Sequence, residues 1–431
     1  MHHGIGALLR RIARQVWARA ALYTVLSVVF VLAAGAIGAA LPFRLVADIG
    51  QDSVGSILQI TASSMLAVTT FSLTAMVTAY SSATTTATPR ATQLMVQDTT
   101  SQNALSTFVG GFTFSLVGVI ALSSGYYGDE GRAIMFGGTL VMITLIVVTL
   151  LRWIAHLARF GRMSDVIDRV EAAASRSLCA FAQAPALGAR RIDDFPGDGR
   201  AVWAEEPGYV TFVDVAAIAR VADAAEVEVV VRALPGSVAD ATTPLAIVLG
   251  AIDDTRSAAI ARAFRIDPHR DYDQDPRLGV IALAEIGSRA LSPATNDPGT
   301  AIEVIAALQR TLTRAIETTP DDDVTYPRVR VRPLRLTDLV VDAFRPLARD
   351  GADHVEVQMR LHKCLRALTA TAPQHAEHFR AAAAESLSRA RGRLLPREIR
   401  SLEALWEPAL LPHEDTTAPD EHGSGVPAAD R

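Results

Sequence analysis

Four apolar stretches crowd the first third of the chain, and nothing comparable follows them. They are Ala20 to Ala40, Ile57 to Ala79, Leu105 to Ser123 and Ala133 to Leu151, the last with no charge inside it. At about 1.5 Å of rise per residue, roughly 20 mostly apolar residues in a helix cross the hydrocarbon core of a bilayer. Each stretch reaches that length or approaches it. Lipid offers backbone N–H and C=O groups no water to bind, so segments of this kind must be helical. The sequence therefore describes an α-helical membrane protein with four transmembrane helices over residues 1–160 and the lipid bilayer as its first partner.

Charge sets the expected orientation. Arg10, Arg11, Arg14 and Arg19 precede the first stretch, whereas Pro42 to Ser53 after it carries one Arg and two Asp. Arg152, Arg159 and Arg162, with Trp153 and His156, flank the end of the fourth. Basic flanks stay in the cytoplasm, so both termini are expected there, in a multi-pass protein of the inner membrane. The first apolar run exceeds a signal-peptide core and further spans follow, which favours an anchor over a cleaved leader.

The second stretch differs from the rest. Ser63, Thr70, Thr74, Thr78, Ser81 and Thr85 recur three, four or seven residues apart and so share one helix face, with Thr88 continuing the series. Hydroxyls in a bilayer bond to their own i−4 carbonyls, glue helices together, or line a water-filled path around an axis of several copies. Arg90 follows Pro89, which disfavours helix in the residue before it, so the helix either runs on past the bilayer or turns there. In both cases Arg90 falls near the cytoplasmic mouth, where a ring of guanidiniums would favour anions. Gly110, Gly111 and Gly118 in the third stretch allow close helix approach. No ionisable residue interrupts the third span or the middle of the fourth, which speaks against pumps and coupled transporters.

Residues 161–200 read as a connecting helix and linker, closed by a turn at Pro196 to Arg200. Residues 201–250 read as a small β-rich module, from the alternation in AVWAEEPGYVTFVDV, the β-branched run EVEVVVRAL and the buried-strand run PLAIVLG. Residues 251–412 have helical spacing near Thr255 to Arg265, Gly279 to Leu291, Gly299 to Thr318, Thr337 to Ala348, His354 to Thr371, Gln374 to Arg389 and Pro396 to Trp406. The fold class is thus four transmembrane helices with a cytoplasmic α+β domain. Residues 413–431 are polar and form an expected disordered tail.

Several functions are excluded or weakened. A net charge of −5, with no basic stripe, argues against a nucleic-acid partner. Cys179 and Cys364 are far apart and lack the neighbours of a metal site, so they read as free thiols. Asp271, Asp273 and Asp275 open like a calcium loop, but Pro276 stands where the turn needs Gly and Ala282 where it needs Glu. An exposed acidic loop is the expectation there and at Asp321 to Asp323. No nucleophile elbow, phosphate loop or H-E-x-x-H helix is present, and His354 and His362 read as ordinary surface or core groups, so no enzyme, metal or cofactor is expected. The most unusual soluble stretch is RALSPATNDPGTAIEVI, in which Asp297-Pro298 forms an N-cap followed by Pro at the first helical position. Free amides at that helix start, with Arg289, Ser292 and Asn296, would hold a small anion or a neighbouring subunit's carboxylate.

Two resemblances add to this. Leu234 to Val248 resembles the G-x-V-x-x-G-x-P-L pattern of barrel-sandwich β modules through Gly236, Val238 and Pro244-Leu245, and implies a small β-barrel, without the lysine a carrier needs. SSATTTATPRATQLMVQDTTSQNALSTFVGGFTFSL, EEPGYVTFVDVAAIARVA and QDPRLGVIALAEIGSRALSPATNDPGTA together resemble the bacterial predicted membrane protein family known as domain of unknown function 2254. The last stretch carries most of the likeness, with Gln274-Asp275, Gly279 and Arg289 through Ala301 in the family's order. The region around Pro89-Arg90 is richer in Thr than the family pattern. The resemblance implies a membrane location and no particular activity. The resulting expectation is an oligomeric, channel-like or regulatory inner-membrane protein with a cytoplasmic assembly or sensing domain. Its alternative is a membrane-anchored ligand-sensing or scaffold protein without conduction.

Overall fold

The computed structural model describes residues 16–40, 51–96, 98–195 and 198–407. Arg10, Arg11, Arg14 and the tail at 413–431 lie outside them, as does part of the turn at Pro196. Among the described residues four helices are long and apolar enough to cross a membrane: α1 (Val16–Ala40), α2 (Gln51–Thr86), α4 (Thr99–Ser123) and α5 (Asp129–Leu157). The short α3 (Pro89–Val96) separates α2 from α4. Central α4 packs against α1, α2 and α5. Its glycines explain how: a Cβ on Gly118 would lie 2.6 Å from the Met135 methyl, and one on Gly111 would lie 2.9 Å from Ile146. Leu26, Phe71, Val141 and Leu151 point outward, the arrangement a lipid-facing surface needs.

The helix α2 ends at Thr86, and α3 turns away at Pro89 with the proline in its first turn, so of the two courses open to this segment the chain takes the turn. Helix α6 (Met163–Gln183) then carries the chain into the polar two-thirds. There α9 (Leu278–Ala290), α10 (Pro298–Glu317), α11 (Leu336–Asp350), α12 (Val355–Thr371), α13 (Ala376–Ala390) and α14 (Pro396–Ala404) pack as a helical bundle. These agree with the helical spacing within a residue or two. One continuous buried cluster runs from Met65 and Phe108 of the apolar helices through Trp153 and Val170 to Leu283, Ile305 and Leu365. The apolar and helical layers therefore share one core.

The β module does not close into a barrel. It comprises two open sheets, ordered β1 (Ala189–Arg191), β8 (Tyr326–Val331), β4 (Glu228–Val231), β6 (Ala246–Leu249), β2 (Arg200–Val202) and β5 (Val238–Ala239), β3 (Gly208–Val213), β7 (Phe264–Asp267). β1 and β4 pair in parallel with β8, and the remaining pairs are antiparallel. The barrel expectation rested on the likeness of Leu234 to Val248 to a barrel-sandwich pattern, whereas β1, β7 and β8 come from outside 201–250 and complete open sheets instead. Two further elements differ from expectation. Helix α7 (Val215–Ala225), capped by the Asp214 carboxylate on the Ala217 amide, interrupts the β-rich run. The helix expected to reach Arg265 stops at Ala261 as α8 (Asp254–Ala261), and Phe264 begins β7.

Candidate functional site: the cleft where the second span meets the helical bundle

The end of α2 docks on α9. Thr88 Oγ1 donates to Glu285 Oε2 at 3.0 Å, the Arg90 guanidinium pairs with Glu285 Oε1, and Tyr272 Oη donates to the Arg90 carbonyl at 3.3 Å. Ala87, Ala91 and Met95 are buried beside this joint. Arg90 thus faces a carboxylate, which cancels the charge a ring of guanidiniums at a pore mouth would need. Burial pushes the Tyr272 phenol well above its usual range.

A second cluster holds the start of α4 to the end of α5 and the start of α6. Asp98 caps α4 through the Ser101 amide at 2.7 Å, and its carboxylate also meets Arg169 Nη1 at 2.7 Å and His156 Nε2 at 3.1 Å. Burial alone would raise the Asp98 carboxyl, but hydrogen bonds from His156, Ser101 and Arg169 outweigh it and hold the group well below the usual carboxylate range. In the sequence Asp98 stands as one charge in a loop, with no mark of its partners 58 and 71 residues away.

The family-like motif Gln274-Asp275 is a structural knot. Asp275 is fully buried (0% exposed), so it does not belong to an exposed acidic loop. Its Oδ2 accepts from Arg270 Nε at 2.7 Å, and its Oδ1 accepts from Arg270 Nη2 at 3.0 Å and from the amides of Arg277 and Leu278 at 3.0 and 3.1 Å. Gly236, with φ of +92°, lies so close that a Cβ would stand 2.5 Å from Asp275 Oδ2. Gln274 Oε1 accepts the Val213 amide at 3.0 Å and ties the knot to β3. Gly279 lets α9 lie against α6, where its Cβ would meet Ala174 Cβ at 2.4 Å. Asp271 and Asp273 stay at the surface, and among the described residues no group of three metal-ligating side chains converges.

Above the joint opens a cleft of about 880 Å³ lined from the span side by Ala87 and Thr88 and from the bundle side by Glu285, Ser288, Arg289, Ser292, Asn296, Arg349, Asp350, Asp353, His354 and Arg393. Three residues singled out from the sequence, Arg289, Ser292 and Asn296, therefore meet in one place with the end of α2. The turn that presents them is held by its own bonds. Ser292 Oγ donates to the Arg289 carbonyl at 2.7 Å, the Asn296 amide donates to the Ser292 carbonyl at 2.8 Å, and Asn296 adopts a left-handed φ of +48°. Asp297 leaves the cleft and caps α10, accepting from the Thr300 amide at 3.1 Å and its hydroxyl at 2.6 Å. Those bonds lower the Asp297 carboxyl, so a charged carboxylate occupies the helix start. The amides expected there to hold an anion are not free, and any anion must be met by side chains. His354, Asp350, Asp353, Arg349 and Arg393 lie up to 104 residues from Arg289, and their spacing gave no signal.

The hydroxyl stripe lies apart from this cleft. Ser63, Thr70, Thr74, Thr78, Ser81 and Thr85 all fall on the exposed face of α2. Ser63, Thr70, Thr74, Thr78 and Thr85 donate to carbonyls four residues back at 2.9 to 3.1 Å. Hydroxyls satisfied in this way require neither water nor a neighbouring helix.

The sequence profile of the family described as "Predicted membrane protein (DUF2254)" matches residues 13–367. The chain belongs to the DUF2254 family of predicted membrane proteins. The match takes in every apolar helix, both sheets and the cleft except its Arg393 edge. Uncharacterized proteins of Mycobacterium bovis and Mycobacterium tuberculosis are each 26% identical to this chain over 248 residues, 54% of the chain and 47% of theirs. The chain thus spans about half the length of the relatives it matches. No solved structure matches it.

Proposed function

We propose that this DUF2254 protein is a multi-pass inner-membrane protein whose bundle and sheets lie in the cytoplasm and sense an anionic ligand in the cleft, without enzymatic turnover. Basic flanks before α1 and after α5 support the orientation. One observation carries the sensing reading: among the described residues Arg289 and Arg393 line the cleft without any ion-pair partner, and Thr88 of the adjoining span lines it too. A ligand that neutralises these guanidiniums would touch the segment linking the domain to α2, so occupancy and helix position share a free energy. The experiment is a thermal-shift and calorimetric screen of anions on the detergent-purified full chain and its Arg289→Gln variant. Saturable binding that the variant weakens is expected, and a panel without any binder would overturn the reading.

A channel-like homo-oligomer is the second reading, favoured by the unpartnered hydroxyl face of α2. Because five of those six hydroxyls bond within their own helix, the face is compatible with a conduit but does not demand one. A monomeric native mass, or liposome ion flux unchanged by Thr74→Leu with Thr78→Leu, would count against it.

A further inference from the structure

The cleft's charge pattern narrows its ligand. Each carboxylate lining it already has a partner: Glu285 holds Arg90 and Thr88, Asp350 holds Arg349 and Ser288, and Asp353 holds His354. The charges of Glu285 and Asp350 are therefore compensated by guanidiniums inside the protein, while Asp353 shares a hydrogen bond with His354. Arg289, at the end of α9, and Arg393, just past α13, are the cations left over among the described residues. They approach the same space from separate elements, which is how two guanidinium forks grip one tetrahedral oxyanion. A guanidinium presents five donors in a planar fork. One fork saturates the two oxygens of a carboxylate, but a phosphate group has three terminal oxygens and can be shared between two.

Other polar groups complete the surroundings. His354 contacts Asn296 Oδ1 at 3.3 Å through Nε2, which leaves the Asn296 amide nitrogen to donate elsewhere. Ser292 lies one turn from Arg289 in the same wall. Ala87 and Thr88 follow directly on the candidate span Ser53–Thr85, so the cleft sits close to the level at which α2 leaves the membrane.

Resting on the sensing reading above, we infer that the cleft binds a phosphate group, clamped between Arg289 and Arg393. Two sources share that chemistry, a soluble phosphate ester and a lipid headgroup reached from the membrane surface. The full chain, purified in detergent and reconstituted into nanodiscs, is titrated with inorganic phosphate, glycerol 3-phosphate, sulfate and citrate, and separately placed in discs of phosphatidylcholine with or without phosphatidic acid. Glycerol 3-phosphate or inorganic phosphate is expected to bind more tightly than citrate, and Arg289→Gln and Arg393→Gln are each expected to weaken it about tenfold or more. Arg289→Lys, which keeps charge but loses the fork, is expected to fall between wild type and Arg289→Gln.

Stabilisation by phosphatidic acid alone, lost in Arg289→Gln, would assign the lipid source. Stabilisation by the soluble esters alone would assign the free one. Citrate bound more tightly than either phosphate, still dependent on Arg289, would overturn the phosphate assignment and leave anion sensing standing. No binding by any anion or lipid would overturn both. Both arginines are exposed, and unchanged circular dichroism of the variants ensures that lost binding reports the site.

Discussion

Asp275→Ala tests the claim that the Gln274-Asp275 pair holds the bundle to the sheets. The carboxylate is fully buried and accepts two bonds from Arg270, whose side chain is 16% exposed, and two from the first amides of α9. Removing one partner of a buried, hydrogen-bonded ion pair costs about 3–5 kcal/mol, because the other charge stays behind without compensation. The lost capping bonds add about 1 kcal/mol. For domains of this size each kcal/mol moves the midpoint by roughly 2–4 °C, so the apparent Tm should fall by on the order of 10 °C. The assay is far-ultraviolet circular dichroism of the full chain in detergent. Replacing Arg270 as well, with Leu, should restore part of the loss, because no stranded charge remains. A single Asp275→Ala variant melting with wild type, or a double variant melting at the sum of the two single losses, would refute the reasoning.

Gly279→Ala should lower the apparent Tm although alanine is the better helix former by about 1 kcal/mol, because its Cβ would stand 2.4 Å from Ala174 Cβ and force α9 off α6; a raised Tm would contradict that packing. His362 is 1% exposed, accepts the Trp406 indole N–H at 2.9 Å through Nδ1, and burial pushes it from 6.5 down to about 4. Its folded value lies below its unfolded one, so the stability it protects is whole above pH 6.5 and is lost as pH falls from there to about 4, a loss of about 3 kcal/mol. His362→Gln should flatten that part of the stability curve relative to wild type in parallel melts, and identical curves would contradict it.

The membrane layer was legible because apolar length is a one-dimensional signal, and the bundle because each helix carries one apolar stripe at helical spacing. The sheets were not, since β1, β4 and β8 pair across a hundred residues or more and local alternation cannot say which strands meet. Asp275 looked solvated because four acidic or polar neighbours surround it in sequence, while its burial comes from Arg270 and Gly236 folding over it. At the cleft, Arg289, Ser292 and Asn296 stood out through an unusual turn. Glu285, Asp350, His354 and Arg393 have ordinary helical surroundings, and only the bundle's packing turns them toward the end of α2.

Hydrogen exchange of the full chain in nanodiscs, with and without the tightest-binding anion of the panel, tests the coupling of cleft to membrane most directly. Slower exchange at Pro89–Val96 and in the turn after α9, with the β module unchanged, is the expected result. Saturable anion binding that leaves exchange at Pro89–Val96 untouched would contradict it.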